Sequence, residues 1–247
     1  YLTSKHDLKL LSVGCGTGSR ERKFAQKNVF KEIIGIDVAK NAVEEAQKLS
    51  LEKGYRLVQY ICGDFTKQSF DKEYFDVILF NSSLHHFERI HEFLSSRVLP
   101  LLKKDGFLVI QEYVGPNRLQ WTKAQLDESN RLLSQIPESY RRKLNSSRMK
   151  RKIYRPGIIR MKMIDPSEAV DSESILPAIH ELFDIVEEKS LGWNITHILL
   201  KDISQNFLGD DEETQNILQK LYQAEDKFVK EQGKFDAVFG IYRPKNQ

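Results

Sequence analysis

The chain has 247 residues, 40% of them hydrophobic and 30% charged, with a formal net charge of +3. That balance describes a globular chain with room for one substantial core, and it excludes a disordered or collagen-like polymer. No stretch approaches the roughly 20 consecutive apolar residues that span a bilayer, and residues 1–9 are too polar for a secretory signal. The expected location is therefore the cytoplasm. The abrupt start without an initiator Met suggests a segment cut from a longer polypeptide, which leaves room for an additional domain upstream of Tyr1.

Residues 9–13 form a short apolar run ending in glycines, as a buried parallel strand does when it feeds a tight turn. A helix is predicted over 19–26, a strand over 32–37 and a helix over 39–53, with Ala42, Val43, Ala46 and Leu49 on one face and Gly54 as its stop. Strands follow at 56–62 and 75–80. A helix over 90–102 is halted by Lys103-Lys104-Asp105-Gly106, and a fifth strand runs over 107–111. Strands alternating with helices imply right-handed crossovers and an open parallel sheet covered on both faces.

Beyond Glu112 the pattern changes. A helix is predicted over 117–135, and residues 137–171 lack clear periodicity and are rich in Arg and Lys. A strand is expected at 183–188, helices over 195–207 and 213–231, and a last strand over 235–242, so that the two late strands complete a seven-stranded sheet. The acidic run Asp210-Asp211-Glu212-Glu213 opens the last helix, where the helix dipole favours it. Three segments result: a core at 1–112, a helical, basic insertion at 113–175 expected to form a substrate lid, and a C-terminal part at 176–247. Cys15 and Cys62, each beside a glycine, are expected as small, partly buried thiols, too few for a metal cluster.

The turn after the first strand reads Gly14-Cys15-Gly16-Thr17-Gly18. A glycine turn there marks a nucleotide site in a doubly wound sheet. A dinucleotide fingerprint would need its third glycine where Ser19 stands, and no Gly-Lys-Ser/Thr follows for a P-loop. Asp37, ending the second strand before Val38, can accept bonds from two ribose hydroxyls, or can cap the next helix. Asp64, in Gly63-Asp64-Phe65 at the end of the third strand, can accept from an adenine amine, with Phe65 and Ile36 near the ring, or can be an ordinary turn aspartate. Together these fit an adenosine without pyrophosphate.

The ordered set Val13 to Gly18, Ile36-Asp37, Gly63-Asp64-Phe65, Phe75 to Asn81, Ser83-Leu84-His85-His86 and Leu102 to Leu108 resembles the class I S-adenosylmethionine (SAM)-dependent methyltransferases. The resemblance implies an α/β, doubly wound, seven-stranded, mostly parallel sheet with the last strand antiparallel. It also implies SAM across the strand C-termini, S-adenosylhomocysteine as product, and no metal. Gly14, Cys15, Gly16, Gly18, Asp37, Val38, Gly63, Asp64, Phe65 and Asn81 fall on its donor-binding positions. One departure stands out. The family commonly has an acidic residue where Ser12 stands, which helps hold the methionine amine; backbone carbonyls near Gly14 and Asn81 would have to compensate. Residues 112–117 with Gln120-Trp121, and Asn194-Ile195-Thr196-His197, resemble methyltransferases associated with bacterial surface-polysaccharide assembly.

Methyl transfer from a sulfonium is an in-line displacement that mainly needs alignment, and a hydroxyl acceptor gains from a base. His85 and His86 follow the fourth strand, where the family borders the methyl group. His85 is read as the base, with Glu112 as an orienting carboxylate or alternative base; both histidines could instead simply shape the loop. For the acceptor, Tyr113, Asn117, Trp121, Arg148, Arg155, Arg160 and His197 are candidates. The basic stretch from Arg141 has no acidic residue until Asp165 and suits an anionic group, although such a run also serves as a solvated surface. Trp121 and Trp193 could stack on a sugar or fill a core.

The leading expectation is therefore O-methylation of a small or glycan-like, anionic acceptor: a sugar, a nucleotide sugar or a polysaccharide end. Tyr140, Met149 and Tyr154, interleaved with the charges, keep RNA methylation open as an alternative, without a recognisable RNA-binding module. The Asn/Asp-Pro-Pro-aromatic motif of nucleobase amino methylation is missing at Asn81-Ser82-Ser83-Leu84. A non-catalytic scaffold subunit with this fold is the remaining alternative.

Overall fold

The computed structural model describes Leu2 and residues 5–245. In chain order its elements are β1 (Leu8–Val13), α1 (Ser19–Ala25), β2 (Phe30–Asp37), α2 (Lys40–Glu52), β3 (Val58–Cys62), β4 (Phe75–Asn81), α3 (Ile90–Phe93) and β5 (Leu102–Tyr113). There follow α4 (Lys123–Gln135), α5 (Ile158–Ile164), α6 (Ile175–Leu182), β6 (Phe183–Gly192), α7 (Thr196–Leu200), α8 (Glu212–Gln232) and β7 (Ala237–Pro244). The seven strands form one sheet in the order β3-β2-β1-β4-β5-β7-β6. It is mostly parallel with one antiparallel pair, the α/β arrangement that the resemblance implied.

Two compact units divide the chain: residues 1–113, 170–189 and 239–247 make the first, and 114–169 with 190–238 the second. In the first, β1 pairs in parallel with β2 on one side and β4 on the other. The chain winds outward from this pair in both directions, so the C-terminal ends of β1 and β4 flank a topological switch point, where open α/β sheets bind ligands. Leu10, Leu11, Ile33, Ile78, Phe80, Leu108 and Ile110 are buried along the central strands. Their near-continuous apolar runs follow from helices covering both faces.

The helix expected over 90–102 is irregular. It passes from α geometry at Ile90–Phe93 through a π turn at Leu94–Val98 to a 3₁₀ turn at Leu99–Leu101, with Pro100 inside the last turn. The expected stop at 103–106 lies instead within β5, which starts at Leu102 opposite Phe75 and shifts register before Phe107 meets Val77. Helix α6 occupies a segment for which periodicity had predicted no element.

The second unit has its own core, centred on Trp121, Leu132, Leu133, Ile198, Leu199, Leu221 and Phe228. Two helices predicted there as continuous are broken. The 117–135 run has left-handed backbone at Arg118 (φ 56°) and Leu119 (φ 51°), and α4 begins afresh from a Thr122–Gln125 capping box. The 195–207 run ends at Leu200, with Asp202 left-handed (φ 67°) before a 3₁₀ turn at Ser204–Phe207. Non-glycine residues seldom adopt that region, so neither break shows in apolar spacing.

Short α7 is held from both ends by side chains distant in sequence. At its N-terminus the buried Glu225 carboxylate accepts from the amides of Asn194 (2.8 Å), Ile195 (3.0 Å) and Thr196 (2.7 Å), and from the Thr196 hydroxyl (2.9 Å). At its C-terminus Lys150 Nζ donates to the carbonyls of Ile198 (3.1 Å), Leu199 (2.9 Å) and Lys201 (2.7 Å). An acid at the positive end and a cation at the negative end complement the helix dipole and satisfy groups that a five-residue helix leaves open. Lys150 is thus a buried cap, not part of a solvated basic face. Burial brings its pKa down to about 8, so it stays mostly protonated at neutral pH. Among the described residues no helix is long and apolar enough to cross a membrane.

Candidate functional site

The glycine turn is shaped by its attachment to β2 and β4. The amides of Gly14 and Cys15 both donate to the Ile36 carbonyl (2.8 and 3.1 Å), and the Ser83 hydroxyl donates to the Val13 carbonyl (2.5 Å). Gly14 is left-handed (φ 74°), and a β-carbon there would overlap the Ser83 side chain. Gly18, also left-handed (φ 73°), opens α1 with the Tyr60 hydroxyl where a β-carbon would stand. Both positions need glycine for backbone and space. At Gly16 the surroundings are open, with nothing within 4 Å of a built β-carbon.

Asp37 closes this turn. One carboxylate oxygen accepts from the Gly16 amide (2.8 Å) and the other from the Ala39 amide (2.8 Å). Each oxygen keeps a second lone pair, so the carboxylate retains capacity for further donors. Val38 follows with its apolar side chain 73% exposed, and the Gly63 amide donates to the Asp37 carbonyl (2.9 Å). Asp64 has the turn-aspartate geometry: it accepts from the Thr66 amide (2.9 Å) and hydroxyl (2.7 Å). Those bonds, the hydroxyl foremost, hold its carboxyl below the usual range. Phe65 departs from the expectation of a ring beside the nucleobase, for it is buried edge-on against Phe93. The apolar side chain left exposed at these strand ends is Val38. Cys15 and Cys62 are free, and Cys62 is exposed where a partly buried thiol was expected. Burial, reinforced by Glu21 and Asp37, pushes the Cys15 thiol well up, so it is no nucleophile at neutral pH.

Sequence reasoning passed over Glu21. It lies in the first turn of α1, is 1% exposed, and neither carboxylate oxygen has a hydrogen-bond partner among the described residues. Burial pushes its carboxyl above the ordinary range. The buried Ser12 hydroxyl, its own backbone amide and the charges of Arg22 and Arg20 counter this without pairing it. Because the folded-state pKa is raised, the stability linked to this group is fully present below the unfolded-state pKa and is lost as pH rises through the folded-state value. Denaturant titrations of the free protein should therefore show wild type losing stability relative to Glu21→Gln as pH rises above the ordinary carboxylate range. Parallel curves would refute an uncompensated buried carboxyl.

At the other side of the switch point lies a buried acid–base pair. Glu112, near the end of β5, is 1% exposed. One of its oxygens accepts from the backbone amides of Ser83 (2.6 Å) and Leu84 (2.7 Å), and the other is 2.7 Å from His85 Nδ1. The carboxylate is thereby held by two fixed donors, and His85 is held by the carboxylate. With Nδ1 carrying its proton toward Glu112, the basic ring nitrogen is Nε2. The His86 ring lies against that of His85 at 4.3 Å between centroids, and Asn81 ends β4 opposite Gln111. Tyr113 is buried at the end of β5.

The remaining candidates belong to the second unit. Trp121, expected either to stack on a sugar or to fill a core, does the latter: it is 3% exposed, with its ring faces in the apolar cluster. Arg155 Nε donates to the Trp121 carbonyl (2.8 Å), so it braces this unit. His197 stacks on Trp193 (4.8 Å, 8° between planes), and burial holds its imidazole below the ordinary histidine range. Asn117 sits in the 3₁₀ turn Asn117–Leu119. Arg148 and Arg160 are exposed.

A glycine turn at the β1/β4 switch point, joined to an aspartate from β2 on a seven-stranded sheet of this order, is the arrangement of the class I SAM-dependent methyltransferases. The chain belongs to that superfamily, and residues 4–157 match its methyltransferase-domain family. An uncharacterized methyltransferase, YcgJ, from Bacillus subtilis is 31% identical over 106 residues, which cover 42% of this chain and 41% of that protein. A malonyl-[acyl-carrier protein] O-methyltransferase from Priestia megaterium is 27% identical over 43% of this chain and 37% of its own length. The chain spans about two fifths of the length of the curated relatives it matches. Among solved structures, the [4+2]-cyclase SpnF superimposes with a TM-score of 0.57 at 16% identity, covering 99% of this chain and 78% of that one. A cyclase on this fold shows that the fold alone does not specify the reaction.

Proposed function

We propose that the chain transfers the methyl group of SAM to an oxygen of a small or glycan-like, anionic acceptor, with His85 as general base. The observation that carries this reading is the buried Glu112–His85 pair between the ends of β4 and β5. SAM supplies a methyl already activated on a sulfonium, and S-adenosylhomocysteine leaves after in-line displacement. The open surroundings of Gly16, in the turn that Gly14 and Gly18 shape, leave room for that donor. Asp37 takes the ribose hydroxyls with its remaining lone pairs, Val38 packs on the purine, and Asp64 accepts from the adenine amine. His85 Nε2 removes the acceptor hydroxyl's proton as the new carbon–oxygen bond forms, and Glu112 steadies the imidazolium that results. A scaffold subunit would have no need of a base fixed in this way. The acceptor class rests on the chemistry of the exposed guanidinium groups of Arg148 and Arg160, which suit phosphate or carboxylate.

Incubation with methyl-labelled SAM tests this directly, using nucleotide sugars and surface-glycan precursors beside cellular RNA. Label is expected in the glycan fraction as a methyl ether. Label found only in RNA would overturn the acceptor class, and no calorimetric binding of SAM at millimolar concentration would overturn the catalytic reading.

A further inference from the structure

We propose that Glu21, on α1, is the carboxylate that holds the methionine ammonium of SAM, replacing from the helix an acid that β1 does not provide. This rests on the SAM reading of the glycine cradle and deepens it. Position 12, at the end of β1 just before the cradle, holds a buried serine whose hydroxyl has no charge to offer an ammonium. The missing charge reappears nearby. Glu21 is buried one turn into the helix that the cradle opens, and it acts electrostatically on Cys15 in the cradle and on Tyr60 of β3. Among the described residues, Glu21 is the only buried carboxylate whose two oxygens both lack a well-formed hydrogen bond, with the Ser12 hydroxyl nearby but uncharged.

An unpartnered buried carboxylate is costly, and it persists where a ligand completes it. The ionisable groups facing Glu21 are Arg20 and Arg22 on its own helix, Cys15 in the turn and Tyr60 on β3. Neither arginine pairs with the carboxylate. An amine bound in the cradle would supply both the donor and the charge. Ser12 is compatible with this exchange, because a second carboxylate at that position would repel Glu21 in the free protein.

The proposal is tested by calorimetry on wild type, Glu21→Gln and the double variant Ser12→Asp/Glu21→Gln. Two ligands are titrated: S-adenosylhomocysteine, which carries the ammonium, and 5′-methylthioadenosine, which lacks the amino-acid part. Glu21→Gln is expected to weaken S-adenosylhomocysteine about 10- to 100-fold and to leave 5′-methylthioadenosine unchanged. Ser12→Asp in that background is expected to restore most of the loss. Equal weakening of both ligands, or no weakening of either, would overturn the role of Glu21 while leaving the SAM site standing. Wild type that binds neither ligand would overturn the donor site itself, and Glu21's role with it.

Discussion

Replacing His85 with alanine should slow methyl transfer by roughly 10²- to 10⁴-fold while leaving SAM affinity unchanged, since the imidazole acts on the acceptor's proton and not on the donor. The more discriminating variant is Glu112→Gln. The Ser83 and Leu84 amides both donate to one Glu112 oxygen, so a glutamine keeps its carbonyl oxygen there. Its NH₂ then faces His85 Nδ1, where an oxygen stood at 2.7 Å. That nitrogen must become the acceptor, the proton moves to Nε2, and the base is lost with the ring still in place. Turnover of Glu112→Gln should therefore fall nearly as far as that of His85→Ala, on a side chain that never touches the acceptor. Single-turnover assays, with calorimetry for SAM and a melting curve for integrity, read all three quantities. If both variants turn over at the wild-type rate, methyl transfer here needs alignment alone.

The largest loss of stability is expected in the second unit, at Glu225. Truncation to alanine strands the amides of Asn194, Ile195 and Thr196 and the Thr196 hydroxyl. Leaving a buried set of donors without its charged acceptor costs about 3–5 kcal/mol. Lys150→Met should cost about 2–3 kcal/mol, because methionine keeps the stem's packing but gives the three carbonyls at the end of α7 no donor. Combined, the two changes should cost less than their sum, for once α7 has come loose at one end the other cap holds less structure. Denaturant unfolding of the single and double variants measures this. Full additivity would show that the two caps act independently.

Much of the geometry of the candidate site was legible in the sequence because it is built from local signals. The glycine turn, Asp37 and Asp64 each sit where an apolar strand run ends, and strand periodicity located those ends within two residues at β1, β2, β3 and β4. Glu112 and His85 were found the same way, as polar residues just past apolar strands. Their partnership was a guess about two positions 27 residues apart, which only the pairing of β4 with β5 makes a 2.7 Å contact. The helix breaks at Arg118 and Asp202 were illegible, since nothing in apolar spacing signals a non-glycine residue driven left-handed by its surroundings.

By itself, then, the order of apolar runs, turns and strand-end acids determined the class of fold and the donor's chemistry, because backbone hydrogen bonding and side-chain period leave few arrangements for such a pattern. Tertiary structure decided which charges are alone and which are paired. Lys150 reads as one of a basic run and turns out to be a buried cap on α7, while Trp121, which the sequence leaves open between a sugar platform and core filler, lies in a core. Glu21 carries no signal within the predicted helix over 19–26, yet it is buried beside Ser12 without a well-formed hydrogen bond. The physical reason is the same in each case. Desolvation and pairing depend on what the rest of the chain brings within a few ångströms, and residue type and spacing carry no record of that.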